Sequence, residues 1–533
     1  MKTKIKTGLL LLMALASLSS CSEWLNLEPE DGVIRNRFWK TKEETHSAVL
    51  GCYASLMESN MMERYFIWGE LRAEMVVPTP TANEDLIAIN NGEIVSSNQY
   101  TDWSYFYRTI NQCNTVLELA KLAQEKDMSF STTLLKQYEA EVTCIRSLAY
   151  FYLLRTFRDV PYITQASIYD DQKFAVAATP DSAIVDSLIV SLRKVENDLP
   201  YSHTDLASNK GRFNAFSLKT LLADIYLWKG DYDNCIDLTT QVISSGQYSL
   251  VPVGRQQVLV DGETPGVPDT VYYVNEGDVS SYFMSMYAQG NSVESIFELQ
   301  FGSDKTNPFC SMFLPGGYAK LQAKMENLSS EYFVTSSLDR GWSDMRGEGV
   351  SFKQGYIWKW IGLSKDEYIY RPIGSSYSNW IFYRLADVIL MKAEALTQKA
   401  IIDNNNQEYL TEAKTLVKQI RDRANAPEST DMLYKQVGSL AGRTMEEFIV
   451  NERAREFTFE GKRWFDVLRH AKRDHYSEEN AHYLKRLAIL AAPPEKAYSL
   501  LDKWTSNAGS HYLPINISEL ETNKKLLQNE FYR

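Results

Sequence analysis

The chain has 533 residues, a net charge of −12, 44% hydrophobic residues and 23% charged residues. This is the balance of a globular protein with about three or four domains' worth of length, and it excludes collagen-like, disordered-tail and polytopic membrane classes. Domains that bind nucleic acid are usually basic, so the acidic balance points away from nucleic acid as a partner. The 32 Tyr, 22 Phe and 11 Trp fill a core and still leave rings for a binding surface.

Residues 1–20 read as a targeting segment. Lys2, Lys4 and Lys6 make a positive start, and Gly8 to Leu18 is an apolar run too short to span a bilayer but suited to a signal peptide. Leu18-Ser19-Ser20-Cys21 looks like a bacterial lipobox, which predicts lipidation at Cys21 and a mature chain of residues 21–533. No further apolar run reaches the roughly 18 residues that cross a membrane. Cys52, Cys113, Cys144, Cys235 and Cys310 are odd in number and lack a CxxC pair, so they suit neither zinc nor a redox motif and allow one or two bridges at most. Cys144 and Cys235 fall in apolar helical patterns and read as buried small hydrophobes.

Helical signals come next along the chain. Thr41-Lys42-Glu43-Glu44 is a capping box before Ala48, Val49, Tyr53 and Leu56. Helices are predicted from about Trp103 to Ala123, from Leu134 to Phe157 with Asp159-Val160-Pro161 ending it, and over 180–199 with Pro180 near the start. Ala223, Tyr226, Gly230, Tyr232 and Cys235 stand where a tetratricopeptide repeat places its small residues, rings and turn glycine. Ala393, Leu396, Ala413 and Ile420 repeat the scheme with a turn lengthened by Asp403-Asn404-Asn405-Asn406, and 140–157 reads as one more helix of this kind. Thr444-Met445-Glu446-Glu447 predicts a capping box for a helix reaching about Lys472. Residues 76–101 and 250–380 read as loop-rich, with short β-like runs at 294–301 and 356–361.

The chemical constellations mostly fail. Asp403 to Lys414 starts like a calcium loop but ends on Lys where the bidentate Glu belongs. Gly347-Glu348-Gly349 lacks the third glycine of a dinucleotide fingerprint, and there is no P-loop, HExxH or GxSxG. His470, His475 and His482 have spacings that make no one-turn ligand pair and read as a solvated face. Glu452, Glu456 and Glu460 would rise along one helix face with arginines beside them, which makes an ion-pair network rather than the two opposed carboxyls of a glycosidase. No catalytic residue, metal ligand or cofactor is therefore expected.

Taken in order, several segments resemble the SusD/RagB family of Bacteroidetes outer-membrane lipoproteins over almost the whole chain. They include Cys21-Ser22-Glu23-Trp24-Leu25, Phe38-Trp39-Lys40-Thr41, Ile110-Asn111-Gln112-Cys113-Asn114 and Arg146-Ser147-Leu148-Ala149-Tyr150. Further along come Arg155-Thr156-Phe157-Arg158-Asp159-Val160-Pro161, Ala223-Asp224-Ile225-Tyr226-Leu227 and Val242-Ile243-Ser244-Ser245-Gly246. Tyr383-Arg384-Leu385-Ala386-Asp387-Val388 and Glu452-Arg453-Ala454-Arg455-Glu456-Phe457 with Phe459-Glu460-Gly461-Lys462-Arg463-Trp464 are the most diagnostic. Asn529-Glu530-Phe531-Tyr532 departs from the family's usual Asn-Pro-Gly-Tyr, which concerns a C-terminal turn.

The resemblance implies a mainly α fold: a tetratricopeptide-like superhelix, with scaffold helices at about 40–60, 103–250 and 380–533. The loop-rich ligand half would hold short β-strands at about 65–101 and 250–380, within one domain. It implies a non-catalytic, surface-exposed lipoprotein of the outer membrane. Such a protein captures an oligosaccharide and passes it to a SusC-like TonB-dependent transporter. Capture of peptides or another nutrient is the second reading, and an α-helical glycosidase the third.

Sugars stack their C–H faces on rings and need polar side chains for their hydroxyls. Two regions mix both outside a helical period. The first runs from Trp68 to Tyr100 with Arg72, Glu74, Asn83, Asp85, Asn90 and Asn91; the second from Tyr272 to Tyr318 with Tyr272, Tyr273, Asn275, Tyr282, Tyr287 and Phe309. Trp103, Trp228 and Trp464 lie in helical patterns and read as packing residues.

Overall fold

The computed structural model describes residues 38–533 apart from 169–171, 173, 263–265, 318, 335–340, 428–429, 431–441 and 477–481. The targeting segment and Cys21 lie outside the described residues. The scaffold starts with α1 (Lys42–Leu56), where the Glu44 N–H donates to the Thr41 hydroxyl and the Glu44 carboxylate accepts from the Thr41 N–H. α2 (Ser104–Lys126), α3 (Thr132–Phe157) and α4 (Asp181–Val195) follow close to their predicted bounds. α3 is buried on every side from Ala140 to Phe157, so it is the central helix of the stack.

The two predicted repeat pairs form. The first is α5 (Ala215–Lys229) with α6 (Tyr232–Ser244), and the second is α7 (Leu385–Ile402) with α8 (Gln407–Ala424). Ala223, Cys235, Ala393 and Ala413 are fully buried, as close helix crossings require. Each helix packs on its successor, α1 on α2 and so on to α8. The contact of α6 with α7 is the telling one, because residues 245–384 separate them in sequence. The chain leaves the stack after α6, builds the loop-rich half, and returns to the same stack. The fold is thus mainly α, with tetratricopeptide-like helix pairs. Among the described residues no helix is long and apolar enough to cross a membrane. Cys52, Cys113, Cys144, Cys235 and Cys310 are all buried and free.

Three local expectations are corrected. Residues 76–101 are more ordered than a loop: Val76–Pro78 pairs with Leu321–Ala323, and Glu84–Asn90 is a helix capped by Asn83. At 356–361 only Tyr356–Ile357 is strand; Trp358–Ile361 is a helical turn whose apolar side chains are buried. The long helix ending near Lys472 is two helices, α9 (Gly442–Glu456) and α10 (Arg463–Lys472). α9 starts at Gly442, so Thr444 is not its cap. Between α9 and α10 Phe459 and Gly461 take φ of 66° and 70°. This turn meets the chain near Gly69, where a Cβ would lie 1.9 Å from the Gly461 carbonyl oxygen, so two backbones touch there.

Glu460 sits in that turn rather than on a helix face, and the turn swings it into a buried charge cluster. Arg384 has all five guanidinium N–H donors spent. Nη1 reaches Glu294 at 2.7 Å and Glu456 at 2.5 Å, Nη2 reaches the Glu456 carbonyl at 2.7 Å and Glu460 at 3.0 Å, and Nε reaches Glu460 at 3.0 Å. Arg423 joins Glu294 and Glu456; Arg346 joins Glu452 at 2.7 Å and Glu456 at 2.8 Å; Lys359 joins Glu460 at 2.9 Å. Burial pushes the Glu452 carboxyl up, but Arg346, Arg421 and Arg455 outweigh it and hold it at about 2. Arg423, Arg384 and Arg346 overcome burial in the same way and hold Glu456 well below the carboxylate range. The ion-pair reading of this segment therefore stands, and the helix-face geometry behind it holds for Glu452 and Glu456 on α9 but not for Glu460.

Removing one member strands several buried charges, which typically costs about 3–5 kcal/mol. Glu456→Gln should lose stability on that scale in urea unfolding, and a loss within about 0.5 kcal/mol would contradict the assignment. The depressed carboxyls add stability that is full above their unfolded value, near 4.3, and that disappears as pH falls through the folded value, about 2 for Glu452. Glu70 works in the opposite sense. Its Oε1 accepts from the Gly461 N–H at 2.8 Å and the Lys462 N–H at 3.2 Å, yet burial pushes the carboxyl up to about 8. Its contribution is full below the unfolded value and is lost as pH rises to about 8. Relative to the wild type, Glu70→Gln should therefore gain in thermal melting temperature as pH rises from 5 to 8, the window in which the Glu70 carboxyl loses its contribution.

Candidate ligand-binding site

The structure divides the twelve residues named from the sequence. Six are core and present no face to a ligand. Phe309 packs against Phe313, Trp360 and Trp380 with centroids 5.4–5.8 Å apart. Tyr282 lies under the Arg423 guanidinium, and the Tyr287 hydroxyl donates to Glu460 at 3.2 Å, so both rings wall the charge cluster. Arg72 donates to the carbonyls of Ser510 and His511 and lies 4.1 Å from the Trp464 ring centroid. Glu74 pairs with Arg463 at 2.7 Å and accepts from the Tyr332 hydroxyl. Asn90 is buried and donates to the Ala491 carbonyl at 3.1 Å.

The other six reach the surface. Asn83 caps the 84–90 helix by accepting from the Leu86 N–H, Asp85 accepts from the Gln99 N–H, and Asn91 ends the same helix half-buried. Asn83 and Asp85 thus bond within the 83–101 segment itself, while Asn90 ties it to Ala491 in the C-terminal part of the chain. Tyr272, Tyr273 and Asn275 lie together at the end of the Pro268–Val274 strand and the start of the Glu276–Phe283 helix. Tyr273 is exposed; Tyr272 is half-buried, edge-on to Trp342 at 5.3 Å, with the Arg255 guanidinium 5.0 Å from its centroid. Asn275 accepts from the N–H groups of Gly277 and Asp278 and so caps the helix. Tyr318 lies outside the described residues.

A second group of rings adjoins this one. Tyr368 is 38% exposed and stacks on the fully buried Trp358, with centroids 5.2 Å apart and planes 16° apart. Tyr370 meets both rings edge-on, and Tyr377, also exposed, lies over the Arg371 guanidinium. The supporting loop is pinned. Trp358 Nε1 donates to the Ser364 carbonyl at 2.8 Å, and Lys353 Nζ donates to the carbonyls of Lys365, Asp366 and Glu367 at 2.7, 3.0 and 3.1 Å. Gly362 allows the loop to close, since a Cβ there would meet Trp358 Nε1 at 2.3 Å. Lys365 reaches Glu276 at 2.6 Å, and the Ser280 hydroxyl donates to Asp366 at 2.5 Å. These bonds tie the Tyr368 loop to the helix that Asn275 caps, so one helix connects the two ring groups, which together make the candidate ring platform.

Tyr368, Tyr370 and Tyr377 were not among the residues named from the sequence. The available signal was the run of rings from Tyr356 to Tyr377, broken by Pro372 and Gly374, inside a segment already read as loop-rich. Trp103, Trp228 and Trp464 are buried, as their helical spacing required. His470 is not on a solvated face: it is buried, with Nδ1 2.8 Å from Glu446. The side chains of His475 and His482 lie outside the described ones. Among the described residues no group of three or more His, Cys, Asp or Glu is placed to hold a metal ion.

Two family models match, one described as the SusD family over residues 294–532, the other as "Starch-binding associating with outer membrane" over 50–227. The chain belongs to the SusD family. Among its curated relatives is SusD-like protein P38 of Formosa agariphila, 25% identical over 489 residues that cover 87% of this chain and 91% of that one. A SusD superfamily structure from Bacteroides thetaiotaomicron superposes with TM-score 0.68 at 23% identity, covering 93% of this chain and 99% of its own. A laminarin-binding SusD-like protein superposes with TM-score 0.62 at 20% identity, covering 92% and 99%.

Proposed function

We propose that this SusD-family chain is a non-catalytic, surface-exposed lipoprotein that captures an oligosaccharide on the ring platform and passes it to a SusC-like TonB-dependent outer-membrane transporter. The observation that carries the reading is the exposed Tyr368 ring stacked on a buried Trp358 floor. A flat, immobilised ring suits the C–H face of a sugar, and the carboxylates and amides beside it suit its hydroxyls. The laminarin-binding neighbour and the starch-binding family description support a glycan as ligand, and the latter supports association with the outer membrane. The glycosidase reading loses its candidate residues, because Glu452, Glu456 and Glu460 are buried in ion pairs with no open face for a sugar.

Removing a stacking ring costs about 1–3 kcal/mol by analogy with bases stacked on aromatics. Isothermal titration with an oligosaccharide that binds the wild type should show that loss for Tyr368→Ala and for Tyr273→Ala. Tyr498→Ala, an exposed ring on the helix Pro494–Ser506, should bind like wild type. Wild-type affinity in both platform variants would place the site elsewhere. The anchor and the transporter are tested together. Cys21→Ala should move the chain from the membrane to the soluble fraction, and the wild type in mild detergent should co-purify with a large β-barrel protein. A membrane-bound variant would overturn the anchor, and a wild type without a barrel would overturn the partnership.

A further inference from the structure

We propose that the platform selects uncharged glycans and discriminates against uronic-acid and sulfated ones. The inference rests on the reading of the platform as the glycan site, and it comes from how charge is layered around the rings.

The cations there bond within the protein, and two of them, Lys365 and Arg371, are covered as well, although Arg371 Nε has no hydrogen-bond partner among the described residues. Lys353 has its three ammonium donors on the carbonyls of Lys365, Asp366 and Glu367. Lys365 is bonded to Glu276 and Asp366, and its side chain is only 12% exposed. Arg371 is buried beneath Tyr377 and donates to the Ala288 carbonyl. Arg255 faces Tyr272 and pairs with Asp422 at 3.3 Å.

The carboxylates form the outer layer. The Glu276 and Asp366 side chains are 72% and 57% exposed while the lysine between them is covered. Glu348 and Glu367 are also exposed. Hydrogen bonds from Lys365 and the Ser280 hydroxyl hold the Asp366 carboxyl below the usual range, so it is ionised at neutral pH. A ligand laid on Tyr368 therefore meets acceptor oxygens and ring faces. Sugar hydroxyls are donors and make charge-assisted bonds to such carboxylates. A uronate or sulfate brings a second negative charge to the same surface, with the nearby ammonium groups already committed, and is repelled. The repulsion acts through water and weakens as salt shortens the Debye length.

The test is affinity gel electrophoresis of the full chain on matched gels. One set holds neutral polysaccharides (laminarin, starch, galactomannan, methyl-esterified pectin) and the other acidic ones (de-esterified pectin, alginate, a carrageenan). The expected result is retardation by at least one neutral polysaccharide and apparent affinity at least tenfold weaker for every acidic one at low salt. Tyr368→Ala should abolish the retardation, and the double variant Glu348→Gln, Glu367→Gln should narrow the gap between neutral and acidic forms. Retardation by an acidic polysaccharide as strong as by any neutral one, lost in Tyr368→Ala, would overturn the charge inference and leave the platform standing. Retardation unchanged by Tyr368→Ala, or none by either set, would overturn the platform reading and the inference with it.

Discussion

The rest of the structure depends on the Arg384 guanidinium and the carboxylates that saturate it. Its partners come from distant parts of the chain: Glu294 from the turn just before the Ser295–Leu299 strand of the loop-rich half, and Glu456 and Glu460 from the end of α9 and the turn after it. Arg346 and Lys359 add two more ties from the loop-rich half, and Arg423 adds one from α8. Buried charges are costly unless every donor and acceptor is paired. A cluster so demanding in geometry tolerates little displacement of any contributing segment. It therefore does for the irregular half what helix packing does for the scaffold.

This explains how a segment of short strands, turns and single helical turns holds a fixed shape. Residues 245–384 leave and re-enter the helix stack between α6 and α7, so both ends are anchored by helix contacts. Its interior is anchored by charge and by rings: the Ser295–Leu299 and Trp380–Arg384 strands are wholly buried, and Trp360, Phe309 and Trp380 pack on one another. Only after those rings are committed do Tyr273, Tyr368 and Tyr377 remain at the surface. The platform is thus what the core leaves over, fixed in place because the layer beneath it is closely packed.

The scaffold was readable because its signals are local. The Thr41–Glu44 capping box, the small residues at 223, 235, 393 and 413, and the Arg–Glu pattern at 452–456 each specify their structure within a few turns of chain. Some of the misreadings have the opposite property. The break after Glu456 needs Phe459 at positive φ, a conformation that a phenylalanine does not advertise and only Gly461 hints at. Tyr282 and Tyr287, read as lying outside a helical period, are in fact on the helix Glu276–Phe283 and its continuation to Ala288, whose buried face is Val279, Tyr282, Phe283, Met286 and Tyr287, and Phe309 opens the short buried helix Phe309–Phe313. Tyr368 and Tyr377 instead lie in irregular chain. In irregular chain no periodicity separates a covered ring from an open one. His470 misled for a similar reason, since its charged neighbours turned out to be buried partners rather than a solvated face. The candidate site was legible in sequence as the region 250–380 and, within the proposed platform, as Tyr272 and Tyr273, but not as Tyr368, Tyr370 and Tyr377.

The contrast between Tyr282 and Tyr368 states the general constraint. Both stand in the loop-rich half beside cations and carboxylates. Tyr282 is surrounded by charges whose partners come from other segments, so burial is the only arrangement that keeps those charges paired. Tyr368 stacks on Trp358, and the cation over that floor, Lys353, is satisfied by the backbone carbonyls of the loop that carries Tyr368. Nothing else in the chain has to cover it. A ring supported from within its own loop can stay open to solvent at little cost, and its floor, Trp358, limits the motion it would lose on binding a flat ligand. Exposure at this position is therefore a consequence of local self-sufficiency, and it gives a SusD-family scaffold a rigid aromatic surface without borrowing a residue from its core.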